Sequence, residues 1–306
     1  MLGVNVASRP DWQKDRNTSA DWFHDPFVMF GFLAGVTKLG FSTGVLILAQ
    51  RQTVLVAKQA ASLDVLCDGR FRLGVGVGWN EVEFTGLGAD ARRRGAAMEE
   101  ILQILPQAWT GDPFSHHGAV YDLPTLAVRP TPSTRIPILV GGSAEPAIRR
   151  AGRLADGVFL SSPVARFVEQ VHWVLDECER IGRDPSTFRF IHYSVLLAGA
   201  SRAEALARYR YAAWAVQWKY SDMAASATRP LPAVTPPPFD RPDETLVKGR
   251  AAYAGTPDEL VEALLDIRAQ AGVPLEFVAR SHFPLLDYEA QVELMQQLAE
   301  GVAPHV

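Results

Sequence analysis

Cysteine is scarce in this chain: Cys67 and Cys178 are the only two in 306 residues. They lie far apart and form no C-x-x-C pair, which excludes a disulfide framework and a cysteine-based metal centre. Both fit a reduced, cytoplasmic setting as small core residues. No apolar run is long enough to cross a bilayer; the densest, Pro26–Thr37, is too short. No basic segment followed by an apolar core opens the chain, so no secretory leader is expected. Cationic surplus is absent too. Lys and Arg number 30 against 34 Asp and Glu, a net charge of -4, which gives no electrostatic reason to bind nucleic acid or an anionic membrane. The chain contains no H-E-x-x-H, which removes the usual zinc-peptidase arrangement. No lysine stands at a strand end, against Schiff-base chemistry. His116 and His117 are adjacent, so on a strand they face opposite ways; a hairpin is expected there, and no metal site.

What is present is ordinary for a globular α/β protein: 48% hydrophobic and 21% charged residues. One domain over residues 1–306 accommodates the length, since an α/β barrel takes about 250 residues or more. The stretch Gly40–Trp79 organises the rest. G-F-S-T-G-V-L-I-L is short and β-rich. R-Q-T-V-L-V-A-K-Q-A-A-S-L-D-V-L repeats apolar residues at helical spacing. C-D-G-R-F-R-L-G-V-G-V-G-W is again a strand. Together they form a βαβ unit with two parallel strands. In the second strand Phe71, Leu73, Val75 and Val77 fall on one face, and Arg72, Gly74, Gly76 and Gly78 on the other. The glycine face is nearly bare backbone. Two readings stay open: close approach by a ligand or another backbone, or a tight bend in a barrel wall.

Those same segments, T-G-V-L-I-L, R-Q-T-V-L-V-A-K-Q and D-G-R-F-R-L-G-V-G-V-G-W-N-E-V-E-F, resemble the bacterial luciferase-like monooxygenase superfamily, and within it the branch assigned to the deazaflavin F420. The resemblance runs from about Asp25 to the C-terminus. It implies a TIM-type (β/α)8 barrel that binds F420 or FMN at the C-terminal ends of its strands. It also implies an opening strand and helix for which this chain has no counterpart, Met1–Ser8 looking like the second strand. By resemblance, Thr43-Gly44-Val45 matches a strand bulge whose Gly44–Val45 peptide is cis and lies behind the cofactor ring. Asn80 matches a polar position contacting the cofactor.

Gly141-Gly142-Ser143 before a helix offers backbone donors and a positive helix end, which suits a phosphate. Alone this is a weak signal, equally met by a tight turn. The resemblance assigns the cofactor phosphate to Gly141, Gly142, Ser161 and Ser162, and leaves Arg166 where some F420 relatives carry a lysine. At the mouth, Asn80, Glu83 and His282 are the candidate catalytic residues, beside Glu81 and Arg280. Glu83 is the best acid candidate, because Phe84 beside it would desolvate the carboxylate. The competing reading is a surface helix start, where carboxylates are favoured anyway.

Elsewhere Asp25-Pro26 reads as a helix cap followed by a first-position proline, and Thr256-Pro257 repeats the pattern. The helix after Asp25 is apolar nearly all round, so both sides should be covered, one of them by a second copy in a homodimer. Arg92-Arg93-Arg94 reads as a solvated face. The proline-rich stretch 221–250 resembles a lid. The expected activity is hydride transfer to or from a small organic substrate with F420 preferred, supported by an F420-reducing system. The alternatives are an FMN-dependent monooxygenase using O2 with a partner reductase, and a non-catalytic flavin-binding or N-terminally truncated relative.

Overall fold

The computed structural model describes residues 23–79, 81–226, 251–283 and 286–306. Met1–Ser8, expected to be the barrel's second strand, the cofactor contact Asn80 and most of the proline-rich stretch lie outside them. Contacts group the described chain into two compact units: one from the start to Phe159 with Trp173–Phe188, the other Leu160–His172 with Arg189–Val306.

In the first unit, α1 (Pro26–Val36) starts where the sequence places it. The Asp25 carboxylate accepts from the N–H groups of Phe27 and Val28, and it pairs with Arg51 at 2.8 Å. β1 (Phe41–Ser42) and β2 (Leu46–Ile47) then run side by side with β3 (Phe71–Gly76), both parallel to it. α2 (Thr53–Leu66) joins β2 to β3, about four turns as its periodicity predicts. Ser42 pairs with Arg72 and Leu46 with Val75, so β1–β2 spends one residue more than β3 over the same span. That extra residue is a bulge, centred on Thr43-Gly44-Val45. The sheet continues through β6 (Ile138–Gly141) to β7 (Gly157–Leu160), all parallel. Buried Val56, Ala57 and Ala60 of α2, and Met98, Ile101 and Leu105 of α4 (Arg94–Ala108), belong to its core. The α2 carbonyl of Ala57 accepts from the Trp109 indole at 3.0 Å.

Between α4 and β6 lies the expected hairpin, β4 (Phe114–His117) antiparallel to β5 (Asp122–Leu126). Its histidines face opposite ways. His116 turns in to Glu100 at 3.1 Å, and His117 turns out to Asp122 at 2.6 Å. Among the described residues no cluster of metal-ligating side chains occurs. Arg92, Arg93 and Arg94 are exposed, as a solvated face should be.

In the second unit β8 (Arg189–Ala198) is the central strand, with β9 (Ala252–Gly255) and β10 (Leu275–Arg280) parallel on its two sides. α7 (Arg202–Ser226) runs into the stretch 221–250, so the first residues of the proline-rich stretch are helical. α8 (Pro257–Ala271) begins with a full capping box: Thr256 Oγ1 accepts from Glu259 N, and the Glu259 carboxylate accepts from Thr256 N. α9 (Tyr288–Gly301) follows β10. No described helix is long and apolar enough to cross a membrane.

Candidate functional site

The glycine face of β3 is filled by the chain itself. A side-chain carbon at Gly74 would lie 1.8 Å from the Thr43 carbonyl oxygen, and one at Gly76 would lie 2.8 Å from Val45 Cγ2. The other γ-methyl of Val45 approaches Gly141 on β6, where a side-chain carbon would meet it at 2.8 Å. Val45 thus occupies the hollow that glycines on two neighbouring strands leave open. The Gly44–Val45 peptide is cis, as the resemblance implies. Of the two readings for the bare face, close approach by another backbone is the one realised.

Thr43 is buried, and its hydroxyl donates to the Gly74 carbonyl at 2.6 Å. It therefore supports the bulge from behind. Gly44 faces the ring of Phe159 at the end of β7, 3.6 Å from where its side-chain carbon would stand. Register places Gly141 opposite Phe159, so the exits of β6 and β7 are neighbours.

Beyond β6, Gly142 and Ser143 are exposed and α5 (Glu145–Leu154) begins. Ala144 is the N-cap of this helix and makes no side-chain cap hydrogen bond.

Glu83, on the short helix α3 (Glu81–Gly86) after β3, is 7% exposed rather than on a surface helix start. Its Oε2 accepts from Gln50 Nε2 at 3.3 Å, and Gln50 is 8% exposed. Gln50 ends the 3-10 turn Leu48–Gln50 that leaves β2, so the pair spans the C-terminal ends of two adjacent parallel strands. The sequence reading missed Gln50. Its only signal is position: the third residue past a strand that pairs with the strand feeding Glu83.

In the second unit, Ser161 is exposed and Ser162 buried at the exit of β7. His192 of β8, fully buried, reaches that exit: its Nε2 is 3.2 Å from the Ser162 carbonyl and its Nδ1 2.6 Å from Ser194 Oγ. Burial pushes the imidazole down to about 4, against the opposing pull of the Ser162 carbonyl. His192 was also missed. Its sequence signal is a His-x-Ser pair on one strand face, which periodicity alone does not distinguish from core. Arg166 lies on the first turn of α6 (Val164–Ile181), with its guanidinium paired to Glu169. His282 lies on the loop after β10 and is exposed.

The sequence profile of the luciferase-like monooxygenases matches residues 10–274, and the chain belongs to that family. Its fold is of the TIM-type α/β class that family shares. An uncharacterised protein of Mycobacterium tuberculosis is 44% identical over 137 residues, 44% of this chain and 47% of that one. An F420-dependent glucose-6-phosphate dehydrogenase of Microbacterium testaceum is 32% identical over 110 residues, 35% of this chain and 33% of that one. The match thus spans half or less of these curated relatives. The crystal structure of the monooxygenase RslO1 from Streptomyces bottropensis superposes with a TM-score of 0.75 at 20% identity, covering 93% of this chain and 86% of that one.

Proposed function

We propose that this protein is a flavin- or deazaflavin-dependent oxidoreductase that prefers F420 and transfers hydride to or from a small organic substrate. The observation that carries this reading is the exit of β6. There Gly141 and Gly142 lead into α5, whose N-cap Ala144 makes no side-chain cap hydrogen bond. A phosphate there gains from the positive end of the helix dipole. Gly142 brings no side chain to obstruct it, and a carbon there would only touch Ala147 at 3.5 Å. The glycine turn therefore fits a cofactor phosphate; the family resemblance assigns Ser161 and Ser162 to the same group. The bulge at Thr43–Val45 would back the ring, and Glu83, steadied by Gln50, would hold or move a proton at its carboxylate. When bound, the cofactor supplies the redox step itself. The F420 preference rests on the branch resemblance and on the F420-dependent relative. The second reading is an FMN-dependent monooxygenase using O2 with a partner reductase; the structural neighbour RslO1, itself a monooxygenase, shares the fold.

Fluorescence titration of the purified protein with F420 and with FMN tests this. Micromolar or tighter binding of F420 with weak FMN binding supports hydride transfer. The reverse preference supports the monooxygenase. Binding of neither removes the proposal.

We further propose that a second copy of the chain covers α1. Val28, Phe32 and Val36 are 72%, 70% and 63% exposed on one helical stripe, and α1 carries no charged residue. Isolated aliphatic and aromatic side chains on a surface are common, but a continuous apolar stripe marks a contact face. Sedimentation equilibrium over a concentration series decides it, a monomer at all concentrations removing the idea.

A further inference from the structure

We propose that His192 is a positioning residue that sets the loop Ser161-Ser162-Pro163 for the phosphate group of the cofactor. This rests on the reading of that strand exit as a phosphate contact.

The proton pattern around His192 follows from its partners. The Ser162 carbonyl can only accept, so Nε2 must carry a hydrogen and donate to it across 3.2 Å. A neutral imidazole then has a bare Nδ1, which accepts from the Ser194 hydroxyl at 2.6 Å. His192 and Ser194 lie two residues apart on β8 and share a face, so the strand itself holds both ends of the second bond. The ring is wedged edge-on against Phe167 of α6, centroids 4.6 Å apart at 86°, and sits 6.3 Å from Phe277, its register partner on β10. Apolar walls and burial keep the ring neutral at ordinary pH. The strut therefore contributes a fixed donor and no charge.

What it fixes is the peptide between Ser162 and Pro163. The Ser162 carbonyl is drawn in toward β8, and Pro163 has no N–H to offer an alternative bond. With that peptide anchored from beneath, Ser162 is sealed and Ser161 is left facing out, at the point where the chain turns into α6. Phe167, which grips the imidazole, donates its own N–H to the Pro163 carbonyl at 2.9 Å and so closes the first turn of that helix. One buried side chain thus sets both the strand exit and the start of the helix after it. Space filling does not require a histidine: an aliphatic side chain would fill the site without burying two polar groups that each need a partner.

The test compares ligands that differ only in the phosphate. Wild type, His192→Leu and His192→Gln are titrated with FMN and riboflavin, and with F420 and its phosphate-free deazaflavin chromophore. His192→Leu is expected to weaken the phosphate-bearing ligands about tenfold, the scale of one lost hydrogen bond to a buried carbonyl, while phosphate-free ligands change less than about twofold. His192→Gln, whose amide can donate to the same carbonyl, is expected to restore most of the difference. Equal weakening of both ligand kinds, or no weakening, overturns the proposal and leaves His192 as packing. If His192→Leu does not fold, Ser194→Ala removes only the bond to Nδ1. It must then weaken the phosphate-bearing ligands selectively, and an unchanged ratio overturns the proposal equally. A wild type that binds no phosphate-bearing ligand overturns this proposal and the cofactor reading together; a wild type that binds one, with an unchanged ratio in the variants, overturns this proposal alone.

Discussion

Gly74 and Gly141 in the sheet, and Gly31 and Gly35 on α1, are the same residue in opposite surroundings. The sheet glycines make room for the chain's own bulge, with Thr43 and Val45 standing where their side chains would be. The helix glycines have no atom within 4 Å of where a side-chain carbon would stand. A glycine with a neighbour at contact distance is a packing requirement. A glycine with open space above it costs the helix stability and leaves room for something outside the described chain. The two pairs therefore predict opposite responses to the same substitution, and that contrast can be broken.

Gly74→Ala should have the largest effect. The new methyl would lie 1.8 Å from the Thr43 carbonyl oxygen, and that oxygen is backbone, so no flexible side-chain end can yield. Overpacking of this kind costs on the order of 3 kcal/mol or more, and failure to fold is within its range. Urea denaturation measures it. Wild-type stability in this variant would mean that β1–β2 can withdraw from β3, and the contrast with α1 would collapse.

Thr43→Val comes next and isolates one bond. Valine fills nearly the same space but cannot donate to the Gly74 carbonyl, now bonded at 2.6 Å. The expected loss is about 1–2 kcal/mol in the same denaturation experiment. A neutral result would show that the bulge is held by shape alone.

How far the sequence reaches can be read from these same residues. The alternation of β3 is plain in the chain, and so is the helix between its flanking strands, because periodicity is a local property. What fills the glycine face is not local: Thr43 lies 31 residues from Gly74, and only strand pairing brings them together. Gln50 and Glu83, 33 residues apart, meet for the same reason. β9 escaped notice because Ala251-Ala252-Tyr253-Ala254 has little β-propensity; its place beside β8 makes it a strand. α1 differs again: its apolar composition calls for cover on both sides, and the folded chain leaves one stripe open, the side expected to meet a second copy.

Gly141→Ala should be milder than Gly74→Ala. The new methyl meets Val45 Cγ1 at 2.8 Å, the end of a side chain rather than backbone, so Val45 can shift. About 1 kcal/mol of stability is the expected cost. The sharper readout is ligand binding. Displacing Val45 disturbs the surface that would back the cofactor ring, so FMN and riboflavin should weaken together. His192→Leu is expected to separate them. If Gly141→Ala instead discriminates by phosphate, Gly141 acts through the strand exit and not through the bulge.

Gly31→Ala and Gly35→Ala should have the smallest effect on the folded chain, and of opposite sign. Both sit in a helix interior with open space around them, so alanine clashes with nothing described and reduces the entropy lost on folding. A gain of up to about 1 kcal/mol each is expected in thermal denaturation at low protein concentration. Association should move the other way. Glycines four residues apart lie on one helical face, and there they permit close approach of a second helix; two added methyls hold it off. A variant that is more stable when dilute yet dimerises less when concentrated would establish that these glycines are kept for contact with a second copy. A variant that loses stability when dilute would show that α1 is already covered by its own chain, and the contrast between the two glycine pairs would vanish.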